Sequence, residues 1–216
     1  MNALSPVAIP LKGQRGGQPA DPQLVRLRGF VISFGDMLSS IRDERSIAES
    51  GAALLQKLVS HDDWLPDEYA QPHPDRYQQY LLHCDSRERF SVVSFVWGPG
   101  QSTPIHDHQI WGLVGVLRGA ERVERFGRGS GGGLQSLGEA EILESGHVDA
   151  FGPKSGDIHR VSNAHDDRVS VSIHVYGANI GAVERATYDI EGKSRPFISG
   201  YANTSIPNIW DRSKDI

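Results

Sequence analysis

Apolar residues recur at three- and four-residue steps from Pro22 onward. Leu24, Leu27, Val31, Phe34, Leu38 and Ile41 form one stripe, and Ile47, Leu54, Leu55, Leu58 and Val59 form a second after the polar break Asp43-Glu44-Arg45. This period predicts two amphipathic helices. Around Tyr77 the period falls to two, and short segments follow at hairpin spacing: YQQYLLHC, RFSVVSFVW, LVGVLRG, ERVERF, EILE, DIHRVS and RVSVSIHVYG. Stretches rich in Gly, Pro, Asn and Asp, such as WGPGQS, GRGSGGG and GPKSGD, separate them. Many short strands with glycine-rich turns predict an antiparallel sandwich or barrel, so the expected class is mainly β with N-terminal helices. Residues 1–21 mix Pro, Gly, Gln and Ser without period and read as a disordered or loosely docked leader. Residues 22–70 read as helices packed on a barrel spanning 71–192, and 193–216, with Pro and Asn breakers and isolated aromatics, as an extended segment on its outside.

A chain of 216 residues is long enough for one buried core and too short for two full domains. The net charge is −5 and the 22 Lys and Arg are scattered, which leaves no electrostatic footprint for nucleic acid or an anionic membrane. A small molecule is the expected partner, and the chain is expected to be a monomer or small homo-oligomer. Cys84, the single cysteine, cannot form an internal disulfide. No stretch approaches the length of a membrane span or resembles a signal peptide, so a cytoplasmic location is expected. GRGSGGG lacks the lysine and following helix of a phosphate cradle and reads as a hairpin loop.

Of nine histidines, His61, His73, His83, His147 and His165 read as ordinary surface or hydrogen-bonded residues. His106 and His108, in TPIHDHQIWGLVGVLRG, stand apart. On a strand, residues i and i+2 share a face about 6.7 Å apart, a span two imidazoles can close around one metal ion, while Asp107 points away. The spacing Gly100, five residues, His106, one, His108, three, Gly112, six, Gly119 resembles the first motif of the cupin superfamily, with Gly112 where a glutamate usually stands. Pro153, Gly156, His159 and Asn163 resemble the second motif, with one extra residue between Pro153 and Gly156. The resemblance implies a cupin, a small antiparallel barrel or jelly roll in which His106, His108 and His159 face one ion. Three neutral imidazoles would leave that ion its charge of +2 and up to three open positions, without selecting iron over nickel, copper or zinc.

In RVSVSIHVYG, Val169, Val171, Ile173 and Val175 share one face, and Ser172, His174 and Tyr176 the other. The second face is either half-solvated or, turned into a barrel, a hydrogen-bond relay ending in a phenol. Together with the HDH triplet and GDIHRVSN it resembles the bacterial thiol dioxygenases of the cysteine dioxygenase family, from about Tyr77 to Arg185. That resemblance implies a mononuclear Fe(II) enzyme that adds both atoms of O2 to a small thiol, giving a sulfinic acid. It assigns His106, His108 and His159 to the iron, and Ser172, His174 and Tyr176 to an outer triad. Coordination to a divalent cation would deprotonate the thiol.

Two departures shape the expected substrate. The slot of the cysteine that cross-links to the triad tyrosine in mammalian members is Gly112 here. The early-strand arginine that holds the carboxylate of cysteine is Gln79. The latter resembles a glutamine-type branch associated with 3-mercaptopropionate, in which an arginine after the triad tyrosine serves the carboxylate, here Arg185. Arg185 in GAVERATYD is equally compatible with a surface position. Tyr77 and Trp111 are candidate pocket walls, Trp111 being equally compatible with core packing. 3-Mercaptopropionate is thus favoured over L-cysteine. A strict cysteine dioxygenase, a differently metallated cupin enzyme, a non-catalytic ligand sensor and, least, a Cys84 hydrolase remain as alternatives.

Overall fold

The computed structural model describes residues 22–204, so the expected leader and the end of the tail, 205–216, lie outside the described residues. α1 (Pro22–Ser40) and α2 (Glu44–Val59) flank the polar break, where the Asp43 carboxylate caps α2 by accepting from the Ser46 amide at 2.9 Å. α1 buries Phe30, Phe34 and Leu38, and α2 buries Ile47, Leu55, Leu58 and Val59. Leu24, expected in the first stripe, is exposed. No described helix is long and apolar enough to cross a membrane.

Two antiparallel sheets follow. The first contains β1 (Gln78–Cys84), β2 (Ser91–Trp97), β4 (Gly112–Arg118), β8 (Val148–Phe151) and β10 (Ser170–Tyr176) in the order β1-β2-β10-β4-β8. The second contains β3 (Ile105–His106), β5 (Ala120–Arg128), β6 (Leu134–Ser136), β7 (Glu141–Glu144), β9 (His159–Asn163), β11 (Arg185–Tyr188) and β12 (Ser194–Phe197). Its order is β12-β11-β3-β9-β5-β6, with β7 also paired to β5. GRGSGGG connects β5 and β6, closed by the Gly129 amide donating to the Gly133 carbonyl at 2.8 Å.

Both faces of the first sheet are covered, which is why β2 and β10 are buried at every position. Val92, Val96, Leu113, Leu117, Val171, Ile173 and Val175 pack against the helices. Val93, Phe95, Trp97, Val114, Val116 and Tyr176 form a second core with Val123, Leu143, Phe151 and Val161. The alternation of β10 therefore sends Ser172, His174 and Tyr176 inward, and the half-solvated reading of that face is excluded. Gly115 lets α2 approach β4: a β-carbon there would lie 2.9 Å from Val59 and 3.0 Å from Leu55.

The tail does more than lie extended on the outside. β12 pairs with β11, the Ala202 amide donates to the Gln79 carbonyl at 2.8 Å, and the Leu81 amide donates to Asn203 Oδ1 at 2.8 Å. Residues 194–203 thus brace the open edge of β1 as well as the edge of the second sheet.

Candidate metal centre

β3 brings His106 directly opposite His159, the first residue of β9. His108 arrives differently from the expected i, i+2 strand geometry. β3 ends at His106, Gln109 takes a left-handed φ of 61°, and His108 sits in the intervening turn. Asp157 holds it there. One carboxylate oxygen accepts from the backbone amides of His108 at 2.9 Å and Gln109 at 2.8 Å, and the other lies 3.0 Å from His108 Nδ1. Asp107 turns away and is buried, accepting from the Ala186 amide at 2.9 Å, the Tyr188 hydroxyl at 2.7 Å and the Gln109 side-chain amide. It ties the turn to β11.

The imidazole protons follow from these partners. His106 Nδ1 lies 3.0 Å from the Pro104 carbonyl, which can only accept, and His108 Nδ1 faces an acceptor carboxylate. Both Nδ1 atoms therefore carry the proton, and both Nε2 atoms present lone pairs. Those Nε2 atoms are 3.2 Å apart, and the ligating atoms of His106, His108 and His159 all lie within 4.8 Å of one another. Burial disfavours the imidazolium form of all three. It lowers His106 to about 4 and, with repulsion between the rings, holds His108 and His159 well below the usual histidine range. Two inward lone pairs at this separation repel unless a cation lies between them, so the donor set fits a divalent ion. His159 Nδ1 is buried without a hydrogen-bond partner among the described residues.

Beside this cluster runs a chain of hydrogen bonds along β10. Ser172 Oγ is 2.8 Å from His174 Nε2, and His174 Nδ1 is 2.8 Å from the Tyr176 hydroxyl. The His174 ring stacks on Phe95 at 4.1 Å between centroids, and burial lowers its pKa to about 3, so it is neutral. Burial also pushes the Tyr176 phenol up, keeping it protonated. The Tyr176 ring stacks 5.5 Å from that of His108.

The cluster and the chain meet in a cavity of about 200 Å³, lined also by Tyr77, Gln79, Arg185, Phe197 and Ser199. Arg185, first residue of β11, is 5% exposed, and its Nη2 donates to Ser199 Oγ at 2.6 Å. Its guanidinium lies 4.6 Å from the Phe197 ring centre, and its Nε is buried with no hydrogen-bond partner among the described residues. Among the described residues no carboxylate forms an ion pair with it, and burial pulls its pKa down. Tyr77 stands just before β1 with its ring 5.0 Å from that of Trp97. Gln79 reaches the cavity, but its side-chain amide donates to the Gly200 carbonyl at 2.6 Å, so one of its two N–H donors holds the tail.

Trp111 does not line the cavity. It is partly buried against the helix-side core, 6.1 Å from the Phe34 ring. Gly112 lies directly across from Tyr176 in the β4–β10 register, and the Phe151 ring fills the space where a β-carbon of residue 112 would project. Cys84 is separated from Tyr176 by a strand, since both pair with Ser91 of β2.

Three contributors escaped the sequence reading. Asp157 was visible as a carboxylate two residues before His159, and partners of this kind commonly orient ligating histidines. Phe197 and Ser199 gave no local signal, because only the return of the tail places them beside Arg185.

An antiparallel two-sheet barrel with three inward, neutral histidines converging on one point defines a cupin with a candidate metal site. Residues 31–187 match the cysteine dioxygenase type I family, and the chain belongs to that family. The family implies a dioxygenase. Similar solved structures include a conserved protein with a double-stranded β-helix domain from Klebsiella pneumoniae subsp. pneumoniae, at 18% identity, 52% of this chain and 85% of that one, with a TM-score of 0.41. A Thermus thermophilus protein matches at 21% identity over 52% of this chain and 92% of that one, TM-score 0.40. A cupin superfamily protein from Desulfitobacterium hafniense matches at 12% identity over 55% of this chain and 93% of that one, TM-score 0.41.

Proposed function

We propose that the protein is a mononuclear iron(II) thiol dioxygenase that converts a small thiol carboxylate to its sulfinic acid, with 3-mercaptopropionate preferred to L-cysteine. The observation that carries the substrate class is Arg185: a buried guanidinium without an ion-pair partner among the described residues faces the same small cavity as the three imidazoles. An unpaired buried cation is costly, and an anionic ligand removes the cost. Among the described residues no Asp or Glu lines the cavity, so the α-ammonium of cysteine would meet no counter-charge there, whereas a carboxylate meets Arg185.

His106, His108 and His159 would hold the iron, which when bound would supply open positions for thiolate and dioxygen and lower the thiol pKa. The remaining work belongs to the polypeptide. Arg185 anchors the carboxylate by charge-assisted hydrogen bonds, held in turn by Ser199. Tyr176 presents its hydroxyl to the reacting end, with His174 and Ser172 fixing its direction. Tyr77, Phe95 and Trp97 give that wall an apolar, water-excluding surface. A cavity of about 200 Å³ admits a substrate of only a few non-hydrogen atoms.

Steady-state oxygen uptake by iron-loaded protein on both thiols at one pH tests the proposal. The catalytic efficiency is expected to be higher for 3-mercaptopropionate, with cysteine limited mainly by a larger KM. Arg185→Ala is expected to lose roughly 10- to 100-fold in efficiency on 3-mercaptopropionate, the worth of a charge-assisted hydrogen bond. An equal or higher efficiency on cysteine would restore the strict cysteine dioxygenase.

A further inference from the structure

Glu121 on β5 is wholly buried, and neither carboxylate oxygen has a hydrogen-bond partner among the described residues. It sits about 13 Å along the strand from Arg125, the residue that pairs with His159, so it stands apart from the metal ligands. Its polar neighbours are the Ser172 hydroxyl and the Trp97 indole N–H, near enough to stabilise its charged form though outside hydrogen-bond geometry. The strands beside it place Leu143 of β7 and Asn163 of β9 across from it. The titratable and charged groups facing the interior are His174 and Tyr176 of β10, His159 of β9, His106 of β3, His108, Tyr77, Arg185 of β11 and, further along its own strand, Arg125, whose guanidinium is engaged by Asp149 at 2.7 Å. Among the described residues no cation pairs with Glu121.

Proton counting shows what such a group can do. Trp97 Nε1 can only donate, and it donates to Ser172 Oγ at 3.3 Å. Neutral His174 has a single N–H to share between Ser172 and Tyr176, which allows two arrangements. In one, Ser172 donates to His174 Nε2, His174 Nδ1–H donates to the Tyr176 oxygen, and the phenolic O–H is free to donate into the cavity. In the other, Tyr176 donates to His174 Nδ1 and His174 Nε2–H donates to Ser172. Both lone pairs of Ser172 are then taken, and its own O–H must turn to Glu121.

We infer that Glu121 is a positioning residue that sets the direction of the Ser172–His174–Tyr176 chain and stores the proton that reverses it. Ionised, it draws the Ser172 proton and makes Tyr176 an acceptor toward the cavity. Protonated, it releases Ser172 and makes Tyr176 a donor there. In the conversion of the protonated to the ionised state the carboxyl proton passes to Ser172, that of Ser172 to His174 Nε2, that of His174 Nδ1 to Tyr176, and the phenolic proton to an acceptor in the cavity. Run in reverse, the chain takes up a proton released in the cavity. Its use for a thiol proton rests on the reading proposed above. Burial pushes the Glu121 carboxyl up to about 7, which puts both states within reach of neutral pH.

The test is the tautomer of His174, read by 15N NMR of the full-length protein loaded with diamagnetic zinc(II), from about pH 5.5 to about 8.5. The wild type is expected to pass from Nδ1–H to Nε2–H as the pH rises, and Glu121→Gln to hold one tautomer throughout. Thermal unfolding gives a second readout. A carboxyl raised in the folded state costs nothing below its unfolded pKa of 4.5, and the penalty grows until the pH passes the folded value. Glu121→Gln should therefore gain stability over wild type as the pH rises through that window, up to the order of 10²-fold in the folding equilibrium. A fixed tautomer in wild type, an identical switch in Glu121→Gln, or a stability difference independent of pH would overturn the inference. A fixed tautomer in a protein that still oxidises thiols defeats this inference alone. A switching tautomer without thiol-dependent oxygen uptake supports it and defeats the proposed activity.

Discussion

Asp157 determines where His108 points: its carboxylate fixes the backbone of the turn and the imidazole tautomer together. Replacing it with Asn keeps an acceptor for Nδ1 but loses the charge and both backbone contacts, which share the other oxygen. Asp157→Asn is expected to weaken metal binding about 10- to 100-fold, and His159→Ala to remove most bound metal, both measured by competition with a chelator. Full metal occupancy in His159→Ala would take that residue out of the ligand set. Gly112 makes a second claim at this scale. It faces Tyr176 with no side chain, Phe151 occupies the space, and Cys84 lies two strands away. Intact-mass spectrometry is expected to give the unmodified chain, whereas a deficit of two hydrogens that vanishes in Cys84→Ser would mean a thioether to Tyr176. The ligands were legible because cupin spacing is written locally, within GQSTPIHDHQIWG and GPKSGDIHRVSN. Asp157 and Glu121 were not, since their importance lies in partners far along the chain: His108 is 49 residues away from Asp157.

β10 divides its work between its faces. Val171, Ile173 and Val175 join the helix-side core, while Ser172, His174 and Tyr176 enter the barrel. The two faces should respond differently to substitution. Ile173→Ala is expected to cost about 2–5 kcal/mol of stability, as for other buried large-to-small changes, read as a lower midpoint in denaturant. Tyr176→Phe should keep metal and fold while losing about 10- to 100-fold in turnover, because it removes only a hydroxyl that orients reactants. Unchanged activity in Tyr176→Phe would make this face structural. The strand was legible because its period of two runs unbroken over seven residues. β3, with two residues, and β11 and β12, with four each, are too short to show a period. Their pairing is supported by contacts such as Asp107 to Ala186 and Arg185 to Ser199, which no local pattern encodes.

Seen whole, two helices close the outer face of the first sheet, the barrel closes its inner face, and the tail returns to seal the cavity beside Arg185. The mainly β class and the leading helices were readable from periodicity alone. The return of the tail was not, and it changes the site: Phe197 and Ser199 line the cavity, and Gly200 engages Gln79. The cavity is small and, among the described residues, lined by neutral imidazoles, one cation without an ion-pair partner and no carboxylate, a combination suited to an anionic thiol at a metal. The most direct measurement is the stoichiometry of the iron-loaded protein with 3-mercaptopropionate, following dioxygen consumed and sulfinic acid formed in one reaction. Equal amounts of thiol lost, dioxygen consumed and sulfinate produced are expected; the absence of thiol-dependent oxygen uptake in fully iron-loaded protein, or a disulfide as sole product, would contradict the account.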